Sequence, residues 1–251
     1  MSSLRLWASS IGQPVAVRTS NNIISSLTWR LTSNVPEYDD PMFKDRTDAG
    51  QKLAHVLDDH DTEADIVLAI PRGGLPVGRV VANYLQIPLD VVSARKIGAP
   101  QNTELAVGAV ANDGTVWLNE TLINEMGLED TYLEDQIEHQ RQVALDKLKQ
   151  YRGDRQPLEY SGKTVLIVDD GVATGATTIA CIRQIKNAGA ECVILAIPIA
   201  PPDTIEKLQS EADEVICVES PPHFRAVGQF YESFEQVSDE RAKSYLDRTE
   251  D

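Results

Sequence analysis

Cysteine is scarce in this chain. Its three cysteines, Cys181, Cys192 and Cys217, stand singly in apolar stretches, with no CxxC pair. That excludes a disulfide scaffold and a cysteine-rich zinc module, and it favours a reducing compartment such as the cytoplasm. The four histidines (His55, His60, His139, His223) are scattered and form no metal-binding spacing. Long apolar runs are missing as well. None reaches the roughly 18–20 residues of a membrane-spanning helix, so no membrane partner is expected. Lysine is rare: nine residues against 21 aspartates, within a net charge of −16. So negative a surface repels nucleic acid and anionic lipid. A small anionic ligand stays open, because a few donors in a low-dielectric cleft outweigh distant charges. The sequence also lacks Gly-Lys-Ser/Thr and GxGxxG, which excludes a Walker loop and the dinucleotide fingerprint.

What is present is enough for a sizeable core. The 251 residues allow one large domain or two small ones, and no disulfide or metal staple is needed. Residues 1–36 differ from the rest: eight serines, Arg5, Arg18 and Arg30, and no Asp, Glu or Lys. This composition fits a disordered tail or an early start codon, with an organellar transit segment as the minority reading. A single domain is expected over residues 37–251.

From there helices and buried strands alternate. Residues 45–57 carry Leu53, Ala54, Val56 and Leu57 at helical spacing. Apolar runs at 65–70, 89–94, 163–168, 191–198 and 214–218 predict strands. Residues 71–76 break the first strand, and helices are predicted from there to about Leu85 and over 129–151, 176–188, 202–210 and 238–247. Asn112-Asp113-Gly114 predicts a hairpin turn between strands at 107–111 and 115–118. Apolar strands alternating with helices point to an α/β fold, a parallel twisted sheet with helices on both faces. Ligands in such folds bind beyond the carboxyl ends of the strands.

The segment with most chemistry runs from Val165 to Thr178, VLIVDDGVATGATT. A buried strand delivers two adjacent carboxylates, Asp169 and Asp170. A small-residue loop follows, comprising Val172, Ala173, Thr174, Gly175, Ala176, Thr177 and Thr178. Its consecutive backbone N–H groups and threonine hydroxyls form an anion cradle at a helix N-terminus. Carboxylates beside a phosphate cradle repel the phosphate unless they address another part of the same ligand. Vicinal hydroxyls are that part, and a ribose 5-phosphate satisfies both ends.

This segment resembles the ribose-phosphate signature of type I phosphoribosyltransferases, whose substrate is phosphoribosyl pyrophosphate (PRPP). The similarity extends over most of residues 43–246, in the manner of an uncharacterised branch. The resemblance implies the parallel sheet described above plus a small hood. It makes Asp169 and Asp170 the ribose acceptors and residues 172–178 the 5-phosphate loop. It makes Arg72, Gly73 and Gly74 a diphosphate loop. It places Arg95, Lys96 and Glu104 on a mobile hood loop over residues 93–104, continuing to Gly108. Phe224 and Val227 fall in the segment that meets the base, although Phe224 as a plain core residue reads equally well. The implied reaction displaces diphosphate from PRPP by a nitrogen nucleophile, a nucleobase being the expected acceptor. Mg²⁺ is implied as cofactor, held mainly by PRPP with Asp169 and Asp170 the nearest acids; no protein metal site is assigned. Two departures count against 6-oxopurine acceptors: Ala173 stands where those enzymes carry an Asp, and residues 210–213 lack their Lys. The helix at 129–151 reads as solvated or as a hood or homodimer contact. The competing function is a non-catalytic, PRPP- or nucleotide-sensing regulator.

Overall fold

The computed structural model describes residues 15–16 and 41–247. Of the N-terminal segment, β1 (Val15–Ala16) falls among them, and the remainder of the expected tail lies outside the described residues. Helix α1 (Arg46–Asp59) opens on Asp45, whose carboxylate accepts from the N–H groups of Thr47 and Asp48. Two of the donors that a helix start leaves open are thereby satisfied. There follow β2 (Ile66–Ala69), α2 (Gly74–Leu85) and β3 (Leu89–Val91). Three antiparallel strands come next, β4 (Ala94–Ala99), β5 (Asn102–Ala111) and β6 (Val116–Leu118), then α3 (Glu120–Met126) and α4 (Asp130–Arg152). The chain continues through β7 (Thr164–Val168), α5 (Ala176–Asn187), β8 (Cys192–Ile199), α6 (Pro202–Gln209) and β9 (Glu214–Glu219). A 3₁₀ turn (Val227–Phe230) and α7 (Asp239–Asp247) complete it.

The main sheet runs β1-β9-β8-β7-β2-β3, parallel except for β1. Strands β2 and β7 are neighbours, with Ala69 opposite Val168. Connections leave this pair in opposite directions, toward β3 on one side and toward β8 and β9 on the other. Right-handed crossovers stepping opposite ways put their helices on opposite faces. Accordingly Leu53 of α1 and Val77 and Val81 of α2 pack with Leu166 on one face. Ile179 and Ile182 of α5 and Leu208 of α6 pack with Ile167 on the other. Successive residues of β7 thus feed two cores, and each fully buried Leu or Ile contributes about 1.5–3 kcal/mol. This reversal of direction leaves a crevice at the carboxyl ends of β2 and β7.

Two expectations are corrected. The apolar run 89–94 is not one strand: β3 stops at Val91 in the main sheet, and β4 starts at Ala94 in a separate sheet ordered β4-β5-β6. The stretch from Ser93 to Glu104 is a β-hairpin rather than a loop, with a register shift at Gly98. Its alternation is masked in sequence by that irregularity and by Pro100. The Asn112-Asp113-Gly114 turn forms as expected; Gly114 takes φ +98, and the Asp113 carboxylate accepts from the Thr115 N–H. Helix α4 ties this hood to the main body. Near its start the Tyr132 hydroxyl donates to Gly98 O at 2.8 Å and Leu133 joins the hood core. Near its end Leu148 and Tyr151 pack with Ala242 and Leu246 of α7. Arg152 closes the helix with a bidentate pair to Asp90 of β3, at 3.1 and 2.8 Å. Among the described residues no helix is long and apolar enough to cross a membrane.

Candidate functional site

The twin acids stand where β7 ends, and they are not equivalent. Asp170 Oδ2 accepts from Arg46 Nε at 2.7 Å, and both side chains are about nine-tenths buried (13% and 12% exposed). Arg46 also donates to Glu235 O and lies 3.8 Å over the Phe234 ring. The Tyr231 hydroxyl donates to the Asp170 carbonyl at 2.6 Å. Asp169 has no such cation; its Oδ1 accepts from the Asp170 N–H at 2.8 Å. Burial first, and then the neighbouring Asp170 charge, push the Asp169 carboxyl well above the usual carboxylate range. Burial raises Asp170 too, with Arg46 opposing it. Of the two acids expected to accept ribose hydroxyls, Asp170 is already engaged by Arg46, and Asp169 has no ion pair and an ionised form disfavoured by burial.

The loop after β2 lies directly on these acids. A Cβ at Gly73 would collide with the Asp170 carboxylate, and one at Gly74 would sit 2.7 Å from Val168 O and 3.0 Å from Asp169 Cα. Glycine is what allows the approach. The Pro71–Arg72 peptide is cis. Helix α2 starts here with no side-chain cap. The Gly74 N–H donates to Ile70 O and the Leu75 N–H to Arg72 O, and Pro76 has no N–H, so this start offers its glycine loop rather than open helix donors.

The loop after the acids presents an open helix start, with no side-chain cap on α5. The Val172 N–H donates to Ile199 O, and Gly175 takes φ +82 at the start of α5. The first bond back into α5 runs from the Ile179 N–H to Gly175 O. The N–H groups of Ala176, Thr177 and Thr178 are therefore left for an anion. Ala173 and Thr174 are exposed, whereas Val172 is buried and Thr178 is 1% exposed. Those two contribute backbone and packing more than side-chain contacts. The loop is pinned from α6, where the Thr204 hydroxyl donates to Ala173 O at 2.6 Å. Thr204→Val removes this bond while keeping shape. Affinity for ribose 5-phosphate, read by calorimetry, is expected to fall severalfold, with about 1 kcal/mol of stability lost. Unchanged affinity would refute the pinning role.

The hood residues divide. Neighbours on a strand face opposite ways. Arg95 faces a cavity of about 180 Å³ shared with Pro71, Arg72, Ser93, Lys147 and Tyr151. Lys96 turns instead to Glu104, Nζ to Oε2 at 3.0 Å, and the Glu104 side chain is 89% exposed. Arg95 and Arg72 are thus brought together, and Lys96 and Glu104 pair with each other on the hairpin edge. On the far side of the acids, a Cβ at Gly171 would lie 2.6 Å from Val227 Cγ1. The Phe224 ring is 5.1 Å from that of Phe230 and rests half-buried on the cluster around Phe43. The ring thus packs on a core and is only partly covered by it. Sequence reading missed Arg46, Tyr231 and Thr204. Arg46 lies 124 residues from its partner, and no local signal marks it.

Twin acids between a glycine loop and the open start of α5, at the switch point of a parallel sheet with a hood, define the architecture of a type I phosphoribosyltransferase. Residues 43–235 match the family described as "Phosphoribosyl transferase domain", and the chain belongs to it. The protein TT1426 from Thermus thermophilus superposes with a TM-score of 0.70 at 40% identity, over 81% of this chain and 97% of that one. The Mycobacterium tuberculosis protein named "Putative phosphoribosyl transferase Rv0571c" is 41% identical over 208 residues, 82% of this chain and 47% of its own length. The chain therefore spans about half of that relative. A hypoxanthine/guanine phosphoribosyltransferase of Ferroglobus placidus is 23% identical over 179 residues, covering 71% of this chain and 72% of that protein.

Proposed function

We propose that this domain binds PRPP across the carboxyl ends of β2 and β7 and transfers its phosphoribosyl group to a nucleobase nitrogen, releasing diphosphate. The observation carrying this reading is the flanking of Asp169–Asp170 by the open N-terminus of α5 on one side and the closely approaching Gly73–Gly74 loop on the other. The α5 cradle takes the 5-phosphate. Asp169 accepts the ribose hydroxyls, and Asp170, fixed by Arg46, shapes the floor beneath them. The diphosphate lies over Gly73 and Gly74 with Arg72 and Arg95 beside it. Hydrogen bonds to a charged acceptor contribute about 1.5–3 kcal/mol each, so four or five hold the substrate firmly. Phe224 and Val227 wall the acceptor. Catalysis is then positioning of the nucleophile and stabilisation of charge on the departing diphosphate.

The donor set suits Mg²⁺ bound through substrate oxygens with one protein carboxylate, because Asp169 carries no ion pair while Asp170 is taken by Arg46. The ion's chemistry would be to neutralise diphosphate charge. No group of three or more His, Cys, Asp or Glu among the described residues could hold an ion alone. The unpaired cysteines suit a cytoplasmic setting.

The test is a panel of nucleobases incubated with PRPP and Mg²⁺ and followed for diphosphate release. Release with one base, together with binding of ribose 5-phosphate by calorimetry, is expected. Binding without release on any base would favour a non-catalytic sensor, and no binding at all would refute the site.

A further inference from the structure

A cluster of charges outside the expected set meets at the N-terminus of α7. Asp239 Oδ1 lies 3.4 Å from Arg72 Nη1, and its Oδ2 lies 3.0 Å from Lys147 Nζ. The Tyr151 hydroxyl donates to Oδ1 at 2.8 Å and Gln150 Nε2 to Oδ2 at 3.2 Å. One small anion thus bridges a cation from the diphosphate loop and a cation from α4. Lys147 and Tyr151, four residues apart on one helix face, line the same cavity as Arg72, Arg95 and Ser93. Arg95 makes no ion pair among the described residues. This corner therefore carries three cations against one facing carboxylate, Asp90 being committed to Arg152. A local positive excess in a chain of net charge −16 requires an anion to make it useful.

We propose that Lys147 contacts the departing diphosphate, and that Asp239 is a built-in counter-anion, holding Arg72 and Lys147 in reach until the diphosphate displaces it. This rests on the PRPP reading above. The carboxylate demonstrates the geometry, because a phosphoryl group offers the same pair of acceptor oxygens to the same two donors. The Tyr151 hydroxyl and the Lys147 ammonium hold the Asp239 carboxyl far below the usual range, so it stays charged in this role. Lys147 is a contacting residue; Asp239 is a positioning residue, acting through the two cations.

The test titrates Lys147→Met with Mg²⁺ and each of inorganic diphosphate, PRPP and ribose 5-phosphate by calorimetry. Losing one charge-assisted bond should weaken diphosphate and PRPP about tenfold or more and leave ribose 5-phosphate unchanged. Lys147→Arg should restore most of the loss. Asp239→Asn, which removes the competing anion, should tighten inorganic diphosphate. Diphosphate binding equal to wild type in Lys147→Met would overturn the proposal. So would equal losses for ribose 5-phosphate, or weaker diphosphate binding in Asp239→Asn. Where the wild-type protein binds PRPP, any of these outcomes overturns this inference alone; wild-type protein that binds ribose 5-phosphate but neither diphosphate nor PRPP overturns it together with the PRPP reading. Wild-type protein that binds none of the three overturns it together with the PRPP reading.

Discussion

Asp169→Asn is expected to raise the melting temperature of the ligand-free protein while weakening its affinity for ribose 5-phosphate. The Asp169 carboxyl sits above its unfolded value because burial and the Asp170 charge disfavour its ionised form. A carboxyl raised on folding costs stability progressively as pH rises past the unfolded value, and in full above the folded value. The cost fades as pH falls toward the unfolded value, where both states are protonated. Asparagine removes that penalty at neutral pH, for an expected gain of about 2–4 °C per kcal/mol relieved. The gain should shrink steadily on acidification. Arg46→Met is expected to move the other way. It strips the nearest cation from two crowded acids, and breaking a mostly buried pair costs about 3–5 kcal/mol, or roughly 6–20 °C. That loss too should diminish at low pH as the acids protonate. Thermal melts at several pH values check both, and equal signs for the two variants at neutral pH would refute this account of the twin acids.

The second large effect is expected from Gly73→Ala. Its methyl group would collide with the Asp170 carboxylate, so the diphosphate loop or the acid step must shift. Misplacing a loop by about 1 Å is enough to cost on the order of 100-fold in function, and PRPP affinity should fall by that order. Gly127→Ala is the matched control. Gly127 takes φ +61 at the end of α3 with nothing within 4 Å of its would-be Cβ. It should cost about 1 kcal/mol of backbone strain and leave PRPP binding intact. A Gly73→Ala protein that binds PRPP normally would show that the close approach is dispensable.

What could be read from the sequence was what is local. The apolar runs at Ile66–Ala69 and Thr164–Val168 stand where strands form, because a strand buried on both faces needs no alternation. The glycine loops and the acid step announce themselves over a few consecutive residues. The remainder depends on chain returns. Arg46 reaches Asp170 across 124 residues, Arg72 reaches Asp239 across 167, and Lys147 reaches it across 92. A polar helix face at Lys147 looks solvated until α7 is laid against it. The hood hairpin was hidden for another reason: the chain changes sheets between Val91 and Ala94 inside one apolar run. Helix α3 carried its signals in plain view, an Asn119 cap and a terminal Gly127, but its seven residues are too few to show a period.

Helix α4 has a mechanical consequence. Its 23 residues form a rod of about 35 Å, clasping the hairpin at Tyr132 and riveted to the sheet edge by Arg152 on Asp90. Lys147 sits one and a half turns from that rivet, where a tilting rod sweeps least. The base of the hood is held a second time, Ala109 packing on Ala176 and Ala180 of α5, so the ammonium group beside Arg72 stands in the braced part of the molecule.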